Sequence, residues 1–168
     1  MLEKKRLLVL CLLGGALTLA CNKNKYVADV DLASASALLS MGGFANYSLS
    51  SSSGTEKIKL NVAVPIASEL KKDVAVKVVI DTSLLGNYNR VNFTNYLLPA
   101  SDAYQFSGES LTIPKGQSKI EVPLSVNKGA WLFAGDRYAI PVRLVSVGTF
   151  PLDPRYSTAI INLLPSAN

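Results

Sequence analysis

The chain has 168 residues, of which 49% are apolar and 17% charged, with a formal charge of +5, two cysteines and no histidine. The length suits one domain with a targeting segment, and the composition is globular, not disordered. The lack of imidazole excludes Ser-His-Asp and Cys-His nucleophile systems and every histidine-based metal site, and the scattered basic residues form no stripe for phosphate neutralisation, which argues against nucleic acid as a partner.

Residues 2–6 are charged, and residues 7–20, LLVLCLLGGALTLA, form an apolar run of 14. A membrane-spanning helix needs about 20 such residues, so this run has the length of a signal-peptide core. Small Ala20 precedes Cys21, and polar Asn22-Lys23-Asn24-Lys25 follows. The stretch Thr18-Leu19-Ala20-Cys21 resembles a bacterial lipobox, in which the thiol is acylated and the chain is cut before it. Thr18 stands where leucine is usual, a looseness that Bacteroidetes lipoboxes tolerate. The bland alternative is an ordinary signal peptide with an incidental cysteine. The expected organisation is a signal peptide over 1–20, a lipidated Cys21 with a short tether over 21–26, and one β-sandwich over 27–168. Cleavage removes Lys4, Lys5, Arg6 and Glu3 from the 17 basic and 12 acidic residues, leaving 14 and 11. Cys11 leaves too, so the exported domain has no internal disulfide and is held by its core. Two or three acyl chains, at about 0.8 kcal/mol per buried methylene, anchor firmly.

Beyond residue 26 no helix-period pattern of any length appears, whereas period-2 alternation recurs. Over 57–64, Ile58, Leu60, Val62 and Val64 face one way and Lys57, Lys59 and Asn61 the other. Over 119–126, Ile120, Val122, Leu124 and Val126 point inward, and over 137–144 Tyr138, Ile140, Val142 and Leu144 do. Residues 74–80 are apolar on both faces apart from Lys77, which predicts a central strand. Weaker strands are expected at 26–32, 46–50, 104–106, 110–113 and 158–164. A serine loop covers 48–53, and 82–95 reads as a long connection with room for one helical turn. Lys115-Gly116-Gln117, Gly135-Asp136 and Asp153-Pro154 mark turns. Pro123 and Pro141 cannot donate to a ladder, so their strands are expected at sheet edges or with bulges. Seven to nine short strands so spaced predict an all-β sandwich.

Certain motifs carry a family resemblance. Val79-Ile80-Asp81 is followed by LLGNYN at 84–89, Leu97-Leu98-Pro99, Tyr104, LTIPKGQS at 111–118 and YAIPVRLVS at 138–146. Over residues 27–164 the chain resembles the immunoglobulin-like domain of Bacteroidetes surface lipoproteins, which often stands between a lipidated cysteine and a glycosidase or lectin-like domain. The resemblance implies an immunoglobulin-like β-sandwich, outer-membrane anchoring and company with polysaccharide-capture systems. Two departures stand out. No second domain is expected after residue 168, and Asn22-Lys23-Asn24-Lys25 is basic where surface-displayed relatives are often acidic, leaving the cell-surface and periplasmic faces both open.

No pair of carboxylates is marked out for glycosidase chemistry, so the expectation is a non-enzyme without cofactor or metal. Asp29 and Asp31, on one face of the first expected strand, could share calcium oxygen-ligand chemistry but have no nearby third ligand, and a solvated strand face is the simpler reading. Aromatic side chains are the better candidates, because sugar rings stack on flat apolar faces. Trp131 and Phe133 lie in a loop-like stretch from Gly129 to Gly135. Tyr88, Phe93 and Tyr96 lie along the 82–96 connection, with Asn87, Asn89, Asn92 and Asn95 as hydrogen-bonding neighbours. A buried core tryptophan and loop-tying tyrosines are the structural alternatives. Trp131, Phe133, Tyr88, Tyr96 and Asn89 are therefore the candidate ligand-binding residues. The expected role is a lipid-anchored, non-catalytic accessory or binding module in polysaccharide capture. The alternative is a structural or protein-interaction lipoprotein that joins an outer-membrane complex without binding glycan.

Overall fold

A computed structural model describes residues 35–50, 54–66, 69–128 and 137–165. The described elements are β1 (Leu38–Leu39), β2 (Gly43–Ser48), β3 (Gly54–Lys57), β4 (Leu60–Ala63), β5 (Val74–Ile80), α1 (Thr82–Asn92), β6 (Tyr104–Phe106), β7 (Leu111–Ile113), β8 (Lys119–Val122), β9 (Leu124–Lys128), β10 (Tyr138–Val147) and β11 (Thr158–Leu164). One layer is a five-stranded sheet in the order β2-β11-β10-β5-β7, antiparallel except for the parallel β2–β11 pair. The facing layer consists of two three-stranded sheets, β1-β4-β8 and β3-β9-β6.

The alternation read from the sequence sets the core. Ile58, Leu60, Val62 and Val64 are fully buried, as are Val122, Leu124 and Val126 from the facing layer. Val74, Val76, Val78, Ile140, Val142, Leu144 and Ile161 meet them from the five-stranded sheet. This is the all-β sandwich expected, with eleven described strands in place of seven to nine. The higher count has a local cause. The two long alternating runs each break once, at Ile58-Lys59 and at Pro123, so that β3 and β4 pair with β9 and β8 on either side of the break. Inward side chains continue through both breaks, which is why the sequence reads as unbroken strands. β5 lies between β10 and β7, as its two apolar faces predict. At the β7–β8 turn Gly116 has φ +83, a conformation that favours glycine.

One expectation is corrected, and of two alternatives for a proline-bearing strand the second is found. Residues 82–92 form a three-turn helix, not a loose connection. Pro141 lies on β10, which is a central strand and not an edge. The proline is accommodated because its carbonyl accepts from the Asp81 N–H (3.0 Å) just past the end of β5, so the donor it lacks falls where that ladder stops. A bulge does occur in β10, between Leu144 and Ser146. The segment expected as a first strand (26–32), Cys21, Asp29, Asp31, Trp131 and Phe133 lie outside the described residues.

Candidate functional site

The outer face of the five-stranded sheet, turned away from the core, carries α1. Asp81 starts the helix. It has extended backbone angles, and its side chain accepts from the Ser83 N–H (3.0 Å) and the Ser83 hydroxyl (2.6 Å), as a helix N-cap requires. The other Asp81 oxygen receives Arg143 Nε at 2.5 Å, which ties the helix start to β10. The Ser83 hydroxyl, then Arg143, hold the Asp81 carboxyl below its ordinary range. The helix ends at Phe93, a non-glycine residue in the left-handed region (φ 53°, ψ 42°) whose N–H returns to the Asn89 carbonyl.

Leu85 anchors the helix against Ala139 of β10 and Ile160 of β11, with Tyr88, Tyr96 and Leu98 packed around them. Register brings in a residue from far away in sequence. Phe44 on β2 lies beside Ile160, which in turn lies beside Pro141. The Phe44 and Tyr88 rings stack with centroids 4.8 Å apart and planes 9° apart. Tyr96 stands tilted to both, at 5.5 Å from Phe44 and 6.0 Å from Tyr88. Phe44 keeps 38% of its surface exposed, and Tyr88 and Tyr96 are half-buried. One row further along, Asn162 Nδ2 donates to Asn46 Oδ1 at 2.9 Å. The result is a partly open aromatic cluster on an apolar base with amides at its border.

Tyr88, Tyr96 and Asn89 are thus brought together as the sequence suggested, but Asn89 has a positioning role. Its Nδ2 donates to the Tyr96 carbonyl (2.8 Å), and its Oδ1 accepts from the Tyr96 N–H (2.9 Å) and the Thr94 hydroxyl (3.0 Å). Asn89 fixes the 94–96 turn and with it the Tyr96 ring. Asn92 donates to the Tyr88 carbonyl (3.0 Å), and Asn87 accepts from Arg90 (2.8 Å). Phe93 is outside the cluster and 97% exposed, and Val91 and Leu97, close to it in sequence, are also exposed. Phe44 was not foreseen. Its only sequence signal is the short alternation Phe44-Ala45-Asn46-Tyr47, which puts Phe44 and Asn46 on one face.

A second charged feature lies in the facing layer. Lys128 Nζ meets Glu56 Oε2 at 2.8 Å, with the two side chains 4% and 14% exposed. Ser50 donates to the same oxygen through its N–H and its hydroxyl, both at 2.8 Å. Burial alone would raise the Glu56 carboxyl, but the hydrogen bonds from Lys128 and Ser50 outweigh it and hold the group at about 2. Every bond here is intramolecular, and the arrangement fastens the end of β2 to β3 and β9.

Cavities lie elsewhere. One of about 710 Å³ opens between residues 69–75 and 148–151. A smaller one of about 330 Å³ lies by Gln105, Glu121 and Pro123. Neither adjoins the aromatic cluster.

A family model described as an N-terminal domain matches residues 23–151. No curated protein matches the chain. Among solved structures, the chain is similar to a Bacteroides ovatus protein proposed to bind carbohydrate, with a TM-score of 0.61 at 16% identity over 79% of this chain and 37% of that one. It is similar to an auxiliary nutrient binding protein of Bacteroides thetaiotaomicron, with a TM-score of 0.54 at 20% identity, covering 73% and 44% of the two chains. It is also similar to EndoBT-3987 of Bacteroides thetaiotaomicron, solved with a Man5GlcNAc product, with a TM-score of 0.56 at 21% identity, covering 73% and 28%. The chain spans less than half the length of each of these structures.

Proposed function

This chain belongs to the family of N-terminal domains whose model matches residues 23–151, and on that premise we propose that it is a non-catalytic, lipid-anchored module that offers the Phe44, Tyr88 and Tyr96 platform to polysaccharide at the outer membrane. The observation that carries the reading is the half-open ring cluster itself. Buried rings serve packing, whereas an aromatic surface that stays wet at one edge and is bordered by amides suits the apolar face and hydroxyl rim of a sugar. The similar structures named above support it in kind, since one is an auxiliary nutrient binding protein and another holds a Man5GlcNAc product. Anchoring rests on the lipobox resemblance at Cys21.

Affinity electrophoresis through gels containing polysaccharide, with a glycan array, tests the platform. Retarded migration that Phe44→Ala and Tyr88→Ala each reduce at least severalfold is the expected result. No retardation across a broad panel, with both variants folded, would end the glycan reading. Cys21→Ala is expected to move the protein out of the membrane fraction. A mutant that still sediments with membranes and still matures normally would end the lipid reading.

A protein-binding reading rests on a different observation. Phe93, Val91 and Leu97 are exposed apolar side chains close in sequence to Tyr88 and Tyr96, and exposed apolar side chains suit a protein partner where they form one patch. Phe93→Ala separates the two readings, since it leaves the three-ring cluster intact.

A further inference from the structure

We propose that two copies of this chain pair through β2, edge to edge and antiparallel, so that their five-stranded sheets join into one and their ring clusters share a face.

β2 is an edge of its sheet, and β11 occupies only one of its sides. The Leu49 N–H donates to the Leu164 carbonyl at 2.9 Å, just past the parallel register of β2 with β11. Peptide groups alternate in direction along a strand. Gly43, Ala45 and Tyr47 therefore turn theirs toward β11, and Phe44, Asn46 and Ser48 turn both N–H and C=O to the open side. Among the described residues no backbone group bonds to these.

Exposed edges are commonly blunted by shortness, charge or proline. The other described edges follow that rule. β1 has two residues, β6 has three, and β7 has three with Pro114 after them. β3 carries Glu56 and Lys57, and β8 carries Lys119 and Glu121. β2 has six residues, no charge, no proline and no break in register. Among the described strands it alone is an edge left open.

A second copy satisfies this edge completely. A two-fold axis normal to the sheet at Asn46 sets Asn46 opposite Asn46 of the other copy, and Phe44 opposite Ser48. Every outward residue of each strand then both donates and accepts, and Ala45 and Tyr47 fall in the non-bonded pairs between. No like charges meet, because the strand has none. Asn46 Oδ1 accepts from Asn162 at 2.9 Å, which leaves its Nδ2 to donate across the axis. A foreign peptide would instead need pockets for its alternate side chains, and neither cavity described above is lined by a β2 residue.

One consequence rests on the anchor and the glycan reading proposed above. An axis normal to the sheet keeps both outer faces on one side. The described chain starts at Ala35 and enters through β1, in the facing layer. Both starts thus lie on the side opposite the platforms, as two copies anchored in one membrane require. Each Phe44 stands two residues from the axis, so the two lie about 14 Å apart along the strands and about 5 Å across them. One polysaccharide chain can touch both, and two weak contacts on one ligand reinforce each other.

The experiment is disulfide trapping in the mature, membrane-anchored protein. Asn46→Cys brings two thiols together across a Cα separation of about 5.5 Å, within the span of a disulfide. Mild oxidation should give a dimer on a non-reducing gel, whereas Glu121→Cys on the β8 edge and the unaltered chain should stay monomeric. Asn46→Lys should weaken co-purification of two differently tagged copies at least about tenfold, and pairing an Asn46→Lys copy with an Asn46→Asp copy should restore it. A dimer that forms from Asn46→Cys no faster than from Glu121→Cys would overturn the proposal. So would a cross-link to a different protein, which would assign the edge to a foreign strand, or a mixture of folded Lys and Asp copies that associates no better than the Lys copies alone. These readouts need no sugar. Dimers without retarded migration in polysaccharide gels would refute the platform alone, and retardation of a chain that stays monomeric would refute the pairing alone.

Discussion

The Glu56–Lys128 pair gives a stability prediction with a defined pH signature. The Glu56 carboxyl is held at about 2 against an ordinary value of 4.5. A carboxylate lowered in the folded state contributes stability that is fully present above its unfolded pKa and is lost as the pH falls toward its folded one. Here the window runs from about pH 4.5 down to about pH 2. A shift of this size corresponds to about 3 kcal/mol at pH 7, of which about 2 kcal/mol is gone by pH 3, with the 14% exposure of the side chain trimming both figures through solvent screening. Glu56→Gln removes the titrating group. It also replaces the charged acceptor of the Lys128 ammonium, whose side chain is 4% exposed, by a weaker neutral one, so a total cost of about 3 kcal/mol is expected at neutral pH. Urea unfolding of both proteins at pH 7 and pH 3, followed by circular dichroism, measures the difference. The gap between wild type and variant should narrow by about 2 kcal/mol on acidification. A gap that is the same at both pH values would show that Glu56 ionises normally in the folded protein, and the argument from its hydrogen bonds would be wrong.

Phe93→Gly should stabilise the protein by about 0.5–1 kcal/mol, because glycine takes up the left-handed helix-ending conformation without the cost a Cβ incurs. Thermal unfolding reads this out, and a lowered midpoint would mean that the exposed ring has a packing role. Asn89→Ala should cost about 2 kcal/mol, since it leaves the Tyr96 N–H and carbonyl without their partners. It should also weaken any glycan retention through Tyr96, while Asn89→Asp, which keeps an acceptor for the Tyr96 N–H, should restore part of the stability. An alanine variant as stable as wild type would refute the bracing role.

Most of the fold was legible because burial on one face leaves a period-2 trace. That trace placed 57–64, 74–80, 119–126 and 137–144 with their inward residues, and bounded 104–106 and 158–164 as the structure has them. It failed where continuity of the pattern concealed a break in the ladder. Ile58 and Val122 stay inward on both sides of the kinks, so hydrophobicity alone cannot register them. Helix α1 escaped for the opposite reason. Leu85 is its only fully buried residue, and Gly86, Asn87, Asn89 and Asn92 are poor helix formers. The helix is held by its ends, through the Asp81 cap, the Arg143 ion pair and the Asn89 brace. The Asp81-Thr82-Ser83 start was the one local sign of it. Pro141 stands in a central strand that carries a bulge, the second of the two settings its missing donor suggested, and β5 stops short beside it.

The candidate site shows the same division between local and distant information. Tyr88, Asn89 and Tyr96 lie within nine residues of one another, and a loop reading suffices to group them. Phe44 comes 44 residues before Tyr88 and reaches it only through the parallel pairing of β2 with β11. No periodicity in Gly43–Ser48 specifies a parallel partner. That pairing is also what makes the platform rigid. Phe44 is fixed by a six-residue register, Tyr96 by both hydrogen-bonding ends of the Asn89 amide, and Tyr88 by a helix capped at Asp81 and anchored through Leu85. Three rings held from three separate elements lose little conformational freedom when a ligand arrives, and such preorganisation turns a small contact area into useful affinity. A platform built this way should therefore be far more sensitive to Asn89→Ala, which frees one ring without removing it, than contact area alone would suggest.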